Sequence, residues 1–183
     1  MFTYKINENL ELLLLQPHHA EELLEMVRDN LEILKPWMPW ATDSYSIENS
    51  RQFIRENLLR FAENGSFDSV ILQDGKKIGT IGFHNLDLVN RSAEVGYWLT
   101  KDAQGKGIMT ICAKVLIDYL FDNFGLNRIQ INCNVENVKS RAIPERLGFK
   151  LEGIHRQVEL LNGKLGDWAI YAMLEQERDN IES

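Results

Sequence analysis

Gln104-Gly105-Lys106-Gly107 is the stretch of this chain whose residue types and spacing point most directly to chemistry. Two glycines bracket a lysine where a strand ending near Leu99 gives way to a helix from Ile108. The start of a helix carries unpaired N–H groups and a partial positive charge, so it attracts anions. Glycines there let the backbone approach a phosphate with no Cβ in the way. A short Gly-x-Gly also suits a strand-to-helix turn that binds nothing, and the loop alone serves both readings equally.

A frame must hold that loop. Ser92 to Thr100 has the aromatic and β-branched content of a central strand. The helix from Ile108 has one polar stripe, Thr110, Lys114, Asp118 and Asp122, and is otherwise almost wholly apolar, so it is expected to be mostly buried and to stop at Gly125. Upstream, Leu10 to Leu15 reads as a strand closed by Pro17, with a hairpin partner at Phe2 to Ile6. Leu23, Leu24 and Val27 recur at helical spacing in His18 to Asn30. From Leu31 to Trp40, Pro36 and Pro39 break any helix and crowd Trp37, Met38 and Trp40 together, as a core plug or as a cleft wall. A helix follows Ser46 and runs to Ala62, with Phe53, Ile54, Leu58 and Phe61 on one face. Gly65 stops it. Phe67 to Gln73 and Lys77 to His84 are strands joined by Asp74-Gly75-Lys76, and Asp87 to Asn90 is a loop. Arg128 to Asn134 is a strand, and Asn137 to Leu147 a short helix disturbed by Pro144. Phe149 to Leu161 and Asp167 to Leu174 form a hairpin across Asn162-Gly163, with Trp168 and Tyr171 expected in packing or an interface rather than in the site. The charged tail Glu175 to Ser183 is expected to extend past the fold.

A chain of 183 residues can bury a real core as one domain. It has no stretch long and apolar enough to span a membrane, and no secretory signal follows Met1-Phe2-Thr3-Tyr4-Lys5. Cys112 and Cys133 lie in apolar runs and are expected as buried free thiols in a reducing cytoplasm. The net charge of −7 argues against general nucleic-acid binding and suits attraction of a cationic amine.

Gln104-Gly105-Lys106-Gly107-Ile108-Met109 resembles the acyl-CoA signature of the GNAT N-acetyltransferase superfamily, Gln/Arg-x-x-Gly-x-Gly/Ala, with Met109 where Gly or Ala is usual. The resemblance extends through Glu94-Val95-Gly96-Tyr97-Trp98-Leu99, Asn137, Ser140, Gly148-Phe149 and Leu161-Asn162-Gly163-Lys164. This ordered set covers nearly the whole chain and resembles the Rim-type branch, the ribosomal-protein N-terminal (serine/alanine) acetyltransferases. The resemblance implies one GNAT domain over residues 1–183. Its fold would be mixed α/β, with a mostly antiparallel central sheet of about seven strands, flanked by about four helices and splayed at the acetyl-CoA site. It implies acetyl-CoA as co-substrate, with no metal, held by Trp98, Leu99, Gln104, Gly105, Lys106, Gly107, Ile108, Met109, Thr110, Asn137 and Ser140. Leu99 would offer its backbone polar groups to the pantetheine arm. Trp37 and Trp40 would lie beside the acceptor. Anionic CoA in an acidic protein calls for local cations, and Lys101, Lys106, Lys114, Lys139 and Arg141 are candidates, with Lys114 better explained as solvated surface.

The implied acceptor is the N-terminal α-amino group of a protein, ribosomal proteins among the candidates, attacked directly in a ternary complex. A polyamine or an aminoglycoside-like amine is the rival substrate. A non-catalytic acyl-CoA-binding module is the rival of another class, kept open by Met109 and Pro144. The implied partners include no nucleic acid and no membrane, and they allow a homo-oligomer, a dimer or larger.

Acetyl transfer from a thioester needs a neutral amine, a stabilised oxyanion and a protonated leaving thiolate. An α-amino group, which ordinarily titrates at about 7.7–8.0, sheds its proton far more readily than a lysine at about 10.4. Glu94 is the first candidate for general base and contacts the acceptor in this reading; a salt-bridged strand glutamate is the plainer alternative. Asp102 and His84 follow it. Many GNAT enzymes resemble one another in placing an acidic tyrosine four residues before Gly-Phe; Pro144 stands there, so Ser140 becomes the candidate donor to the leaving sulfur. Asn137 would contact the pantetheine arm or cap its helix, and for Ser140 the roles of cap and donor are compatible. A covalent route through Cys112 or Cys133 has no supporting pattern.

Overall fold

The computed structural model describes residues 3–180. Its strands are β1 (Thr3–Lys5), β2 (Leu10–Leu14), β3 (Asp68–Gln73), β4 (Lys76–Asp87), β5 (Ser92–Leu99), β6 (Arg128–Asn134), β7 (Lys150–Leu161) and β8 (Lys164–Leu174). The helices are α1 (Ala20–Arg28), α2 (Leu31–Leu34), α3 (Ile47–Asn64), α4 (Ile108–Phe124) and α5 (Val138–Arg146). The described residues thus hold eight strands and five α-helices, against the seven and four expected; the order is β1-β2-β3-β4-β5-β6-β8-β7. The extra helix is α2, a single turn that fits between Asn30 and Pro36. The β5–β6 ladder is parallel, running from Ser92↔Arg128 to Glu94↔Gln130, while β1–β2, β2–β3, β3–β4, β6–β8 and β7–β8 are antiparallel.

The chain divides into two compact units. One runs from the start of the described chain to Gly82 and takes in Tyr97–Ile108; the other is Phe83–Gly96 with the residues from Met109 onward.

In the first unit, β1 and β2 form the expected hairpin; Phe2, assigned to its first strand, lies outside the described residues. Asp74 and Gly75 adopt φ of 50° and 77°, the left-handed pair that a two-residue turn between twisted strands requires. Ser46 and Asn49 make a reciprocal capping box at the start of α3, the Ser46 N–H donating to Asn49 Oδ1 at 2.9 Å. The buried face of α3 differs from expectation. Phe61 is 47% exposed, edge-on to Phe67, and Asn57 is fully buried with Ile54. Asn57 is tolerated inside because its amide is satisfied at both ends, donating to the Asp68 carbonyl at 2.8 Å and accepting the Asp68 N–H at 2.6 Å. A core of Leu13, Leu15, Leu23, Val27, Ile54 and Val70 unites β2, α1, α3 and β3.

In the second unit, α4 is buried along Cys112, Ala113, Leu116, Ile117 and Leu120, and its polar stripe faces out. Lys114 pairs with Asp118 at 2.9 Å. The tail does not extend past the fold over its described part. Glu175–Asn180 forms a 3-10 helix, and Arg178 reaches Asp118 and Asp122 of α4 at 3.1 and 2.5 Å. That charge match was hidden because the partners are 56 to 60 residues away. Residues 181–183 lie outside the described chain. β4 continues past His84 to Asp87, whose carboxylate accepts the N–H groups of Val89 and Asn90 to close the turn. Asn162-Gly163 makes the last hairpin with φ of 51° and 77°, and Tyr171 is buried as expected.

Candidate active site

The glycine loop lies in the first unit. Lys101–Ala103 forms a 3-10 turn after β5, and Gln104 donates its side-chain amide to the Leu99 carbonyl at 3.2 Å. Gly105 and Gly107 have φ of +76° and +75°, and a Cβ on either would meet no described atom within 4 Å. The loop is therefore open on its glycine side. Ile108 and Met109 are each 4% exposed, so their side chains are housed inside and only their backbone can serve a ligand. That explains how Met109 can replace a small residue in the motif. Lys101 and Lys106 are exposed, as anion partners must be. Sequence reasoning missed Asn30, 9% exposed, whose Oδ1 accepts the Lys101 N–H at 2.8 Å while its amide donates to Met26 O at 2.9 Å. It pins the loop across 71 residues, and no local pattern signals that. A cleft of about 560 Å³ adjoins the loop, lined in part by Glu22, Lys77, Thr100, Lys101 and Lys106.

The same unit holds the tryptophans. Trp40 is 43% exposed, so it is no core plug, and Trp37 is half-buried. The Trp40 ring centroid lies 5.9 Å from Tyr45 and 6.3 Å from Trp98, both tilted. Tyr45 is fixed by a hydrogen bond from Ser50 Oγ at 3.2 Å. The Trp98 ring, expected beside the cofactor, joins this aromatic cluster with Trp40. Leu99 is a 9% exposed core leucine whose carbonyl is engaged by Gln104.

Glu94 lies in the second unit, its side chain 18% exposed. Its carboxylate is 3.4 Å from His84 Nε2 and accepts from Asn85 Nδ2 at 3.1 Å, with Asn132 as a further donor. Burial by itself would raise its pKa, but the hydrogen bonds from His84, Asn85 and Asn132, with the charge of His84, outweigh that and hold Glu94 below the ordinary carboxylate value. Asn85 owes its aim to a φ of 51° within β4, a left-handed conformation that asparagine tolerates. His84, the third candidate base, is thus a partner of the first. Asp102, the second, is exposed on the 3-10 turn of the other unit.

Asn137 caps α5, its Oδ1 accepting the Ser140 N–H at 3.2 Å, so the cap is Asn137 and Ser140 sits within the first turn. Ser140 Oγ is 3.2 Å from Cys133 Sγ. Arg141, expected as a local cation, is committed to Tyr171 Oη at 3.0 Å and the Val135 carbonyl at 2.9 Å. Arg146 was not foreseen; it donates to Thr110 Oγ1 in the first turn of α4 at 2.7 Å. Both cysteines are buried and outside any disulfide, and burial pushes the Cys112 thiol up to about 12, far from a reactive thiolate.

The Acetyltransferase (GNAT) domain family matches residues 9–150. This chain belongs to the GNAT acetyltransferase family. YdaF of Bacillus subtilis (strain 168), provisionally named a ribosomal N-acetyltransferase, is 41% identical over 97% of this chain and 97% of its own. The ribosomal-protein-serine acetyltransferase of Escherichia coli (strain K12) is 31% identical over 94% of this chain and 96% of its own. Among solved structures, RimL, a ribosomal L7/L12 α-N-protein acetyltransferase complexed with coenzyme A, superposes with a TM-score of 0.90 at 28% identity, covering 94% of this chain and 98% of that one. As a GNAT enzyme this protein is an N-acetyltransferase.

Proposed function

We propose that this enzyme moves the acetyl group of acetyl-CoA to the N-terminal α-amino group of a protein, a ribosomal protein in the first instance, through one GNAT domain spanning residues 1–183. The observation that carries the acceptor class is the end-to-end similarity to relatives named for ribosomal-protein acetylation. In this reading the backbone of Gln104 to Thr110 holds the pyrophosphate, with Lys101 and Lys106 supplying positive charge. The strand end at Leu99 offers its backbone polar groups to the pantetheine arm. The acceptor nitrogen attacks the acetyl carbonyl carbon, the C–S bond breaks, and the electron pair leaves on sulfur. The amine's proton passes to Glu94, directly or through one water, and Ser140 donates a hydrogen bond to the departing thiolate. A carboxylate held ionised is competent to accept at neutral pH, and an α-amine is a fitting donor because it loses its proton near pH 8. Trp40, with Trp37 nearby in the chain, forms a wall for the first acceptor residues.

N-terminal proteomics of cells with and without this protein tests the reading, alongside turnover of the purified enzyme with serine- or alanine-starting peptides and with spermidine. The expected result is loss of acetylation at a ribosomal-protein N-terminus and faster turnover of peptide. Unchanged N-termini with efficient spermidine turnover would transfer the assignment to small amines. Binding of acetyl-CoA with no turnover of any amine would make the protein a binding module.

A further inference from the structure

We infer that Cys133 is a positioning residue for Ser140, directing the hydroxyl that meets the leaving thiolate. The inference rests on the role proposed above for Ser140. Cys133 is 4% exposed near the end of β6, where its backbone is held opposite Ala169 of β8. Ser140 is pinned from the other side, its N–H bound to Asn137 Oδ1 at 3.2 Å. Both backbones being fixed, the 3.2 Å Sγ–Oγ contact selects one orientation of the serine side chain. A serine in the first turn of a helix otherwise has local backbone groups to bond, so its orientation needs a cause.

The element at that point matters. A hydroxyl has one proton and two lone pairs, and a thiol is a weak donor and a weak acceptor. Cys133 can hold the hydroxyl in place while competing only weakly for its proton. The thiolate formed as the C–S bond breaks is a much stronger acceptor than a thiol and can draw the hydroxyl toward it. A carboxylate or carbonyl at the same place would retain it. Cys133 itself forms and breaks no covalent bond. Arg141, the next residue on α5, is bound to Tyr171 and Val135.

Steady-state kinetics at saturating acetyl-CoA, with thermal melts as the folding control, tests this on Ser140→Ala, Cys133→Ala, Cys133→Ser and the double alanine variant. Ser140→Ala is expected to lower kcat on the order of 10²-fold, the lower end for proton-transfer assistance. Cys133→Ala should lower kcat by about fivefold or more with the KM for acetyl-CoA within about twofold, and the double variant should be no slower than Ser140→Ala. Cys133→Ser keeps a polar atom at the contact and should recover part of the loss. If Cys133→Ala melts below the assay temperature, Cys133→Val, which keeps bulk and removes the bond, carries the same expectation. Wild-type kcat in Cys133→Ala beside a slow Ser140→Ala overturns the inference alone. Additive losses in the double variant, or no recovery with serine, also overturn it. Wild-type kcat in Ser140→Ala overturns the role of Ser140 and this inference with it.

Discussion

Gly79 and Gly107 are both glycines beside an isoleucine, both in the first unit, and both at positive φ, 153° and 75°. They do opposite things. A Cβ on Gly79 would lie 2.2 Å from the Trp98 carbonyl oxygen and 2.9 Å from Leu99 Cα, so β4 is glycine there because β5 runs against it. A Cβ on Gly107 would meet no described atom within 4 Å. Packing requires the first glycine. Only backbone conformation requires the second, and the space beside it is open. A closed glycine secures the strand that leads to the loop, and an open one leaves the loop's N–H groups accessible.

The largest expected effect tests the closed side. Gly79→Ala should cost about 3 kcal/mol of stability, because the obstructing atoms are backbone and cannot swing away. Urea denaturation measures it, and a loss below about 1 kcal/mol would erase the contrast. Next comes the open side. Gly107→Ala should cost about 1–2 kcal/mol for a left-handed alanine, yet lower acetyl-CoA affinity by roughly tenfold or more in calorimetry. Alanine is a cleaner probe than valine here, because at φ of 75° a β-branched residue would strain the backbone on its own account. Wild-type affinity in a folded Gly107→Ala protein would leave the open loop without a ligand.

Glu94 sharpens the comparison with a closed polar site. Its folded pKa lies below its ordinary value of 4.5, so its contribution to stability is complete above pH 4.5 and is lost as pH falls through the lower folded value. Glu94→Gln should flatten that acid limb in melts taken below pH 4.5. In kinetics it should depress kcat/KM most near pH 6, where the amine is protonated, and least near pH 9. An unchanged profile from pH 6 to 9 would reduce Glu94 to a structural partner of His84. The smallest effect on stability is expected at Trp40, 43% exposed. Trp40→Ala should lose well under the roughly 3–5 kcal/mol of a buried aromatic, while raising acceptor KM and sparing acetyl-CoA affinity. A full core-sized loss would return Trp40 to packing.

The sequence alone was enough for those features that depend on neighbours in the chain. The two hairpins across Asp74-Gly75 and Asn162-Gly163, the Gly65 stop and the apolar α4 are all set by local dihedral preference or by helical periodicity. The glycine loop and the family it resembles were legible for the same reason, since the motif is made of residues consecutive in the chain. The tertiary structure decided what depends on distant partners. It replaced Phe61 with Asn57 on the buried face of α3, because only folding brings the Asp68 backbone to that amide. It turned Trp98 toward Trp40, tied the tail to α4 through Arg178, and surrounded Glu94 with His84, Asn85 and Asn132. It also set Cys133 against Ser140. Such contacts join elements whose side-chain directions are fixed by packing, and a polar residue carries no mark in its own stretch of chain of the partner that will satisfy it.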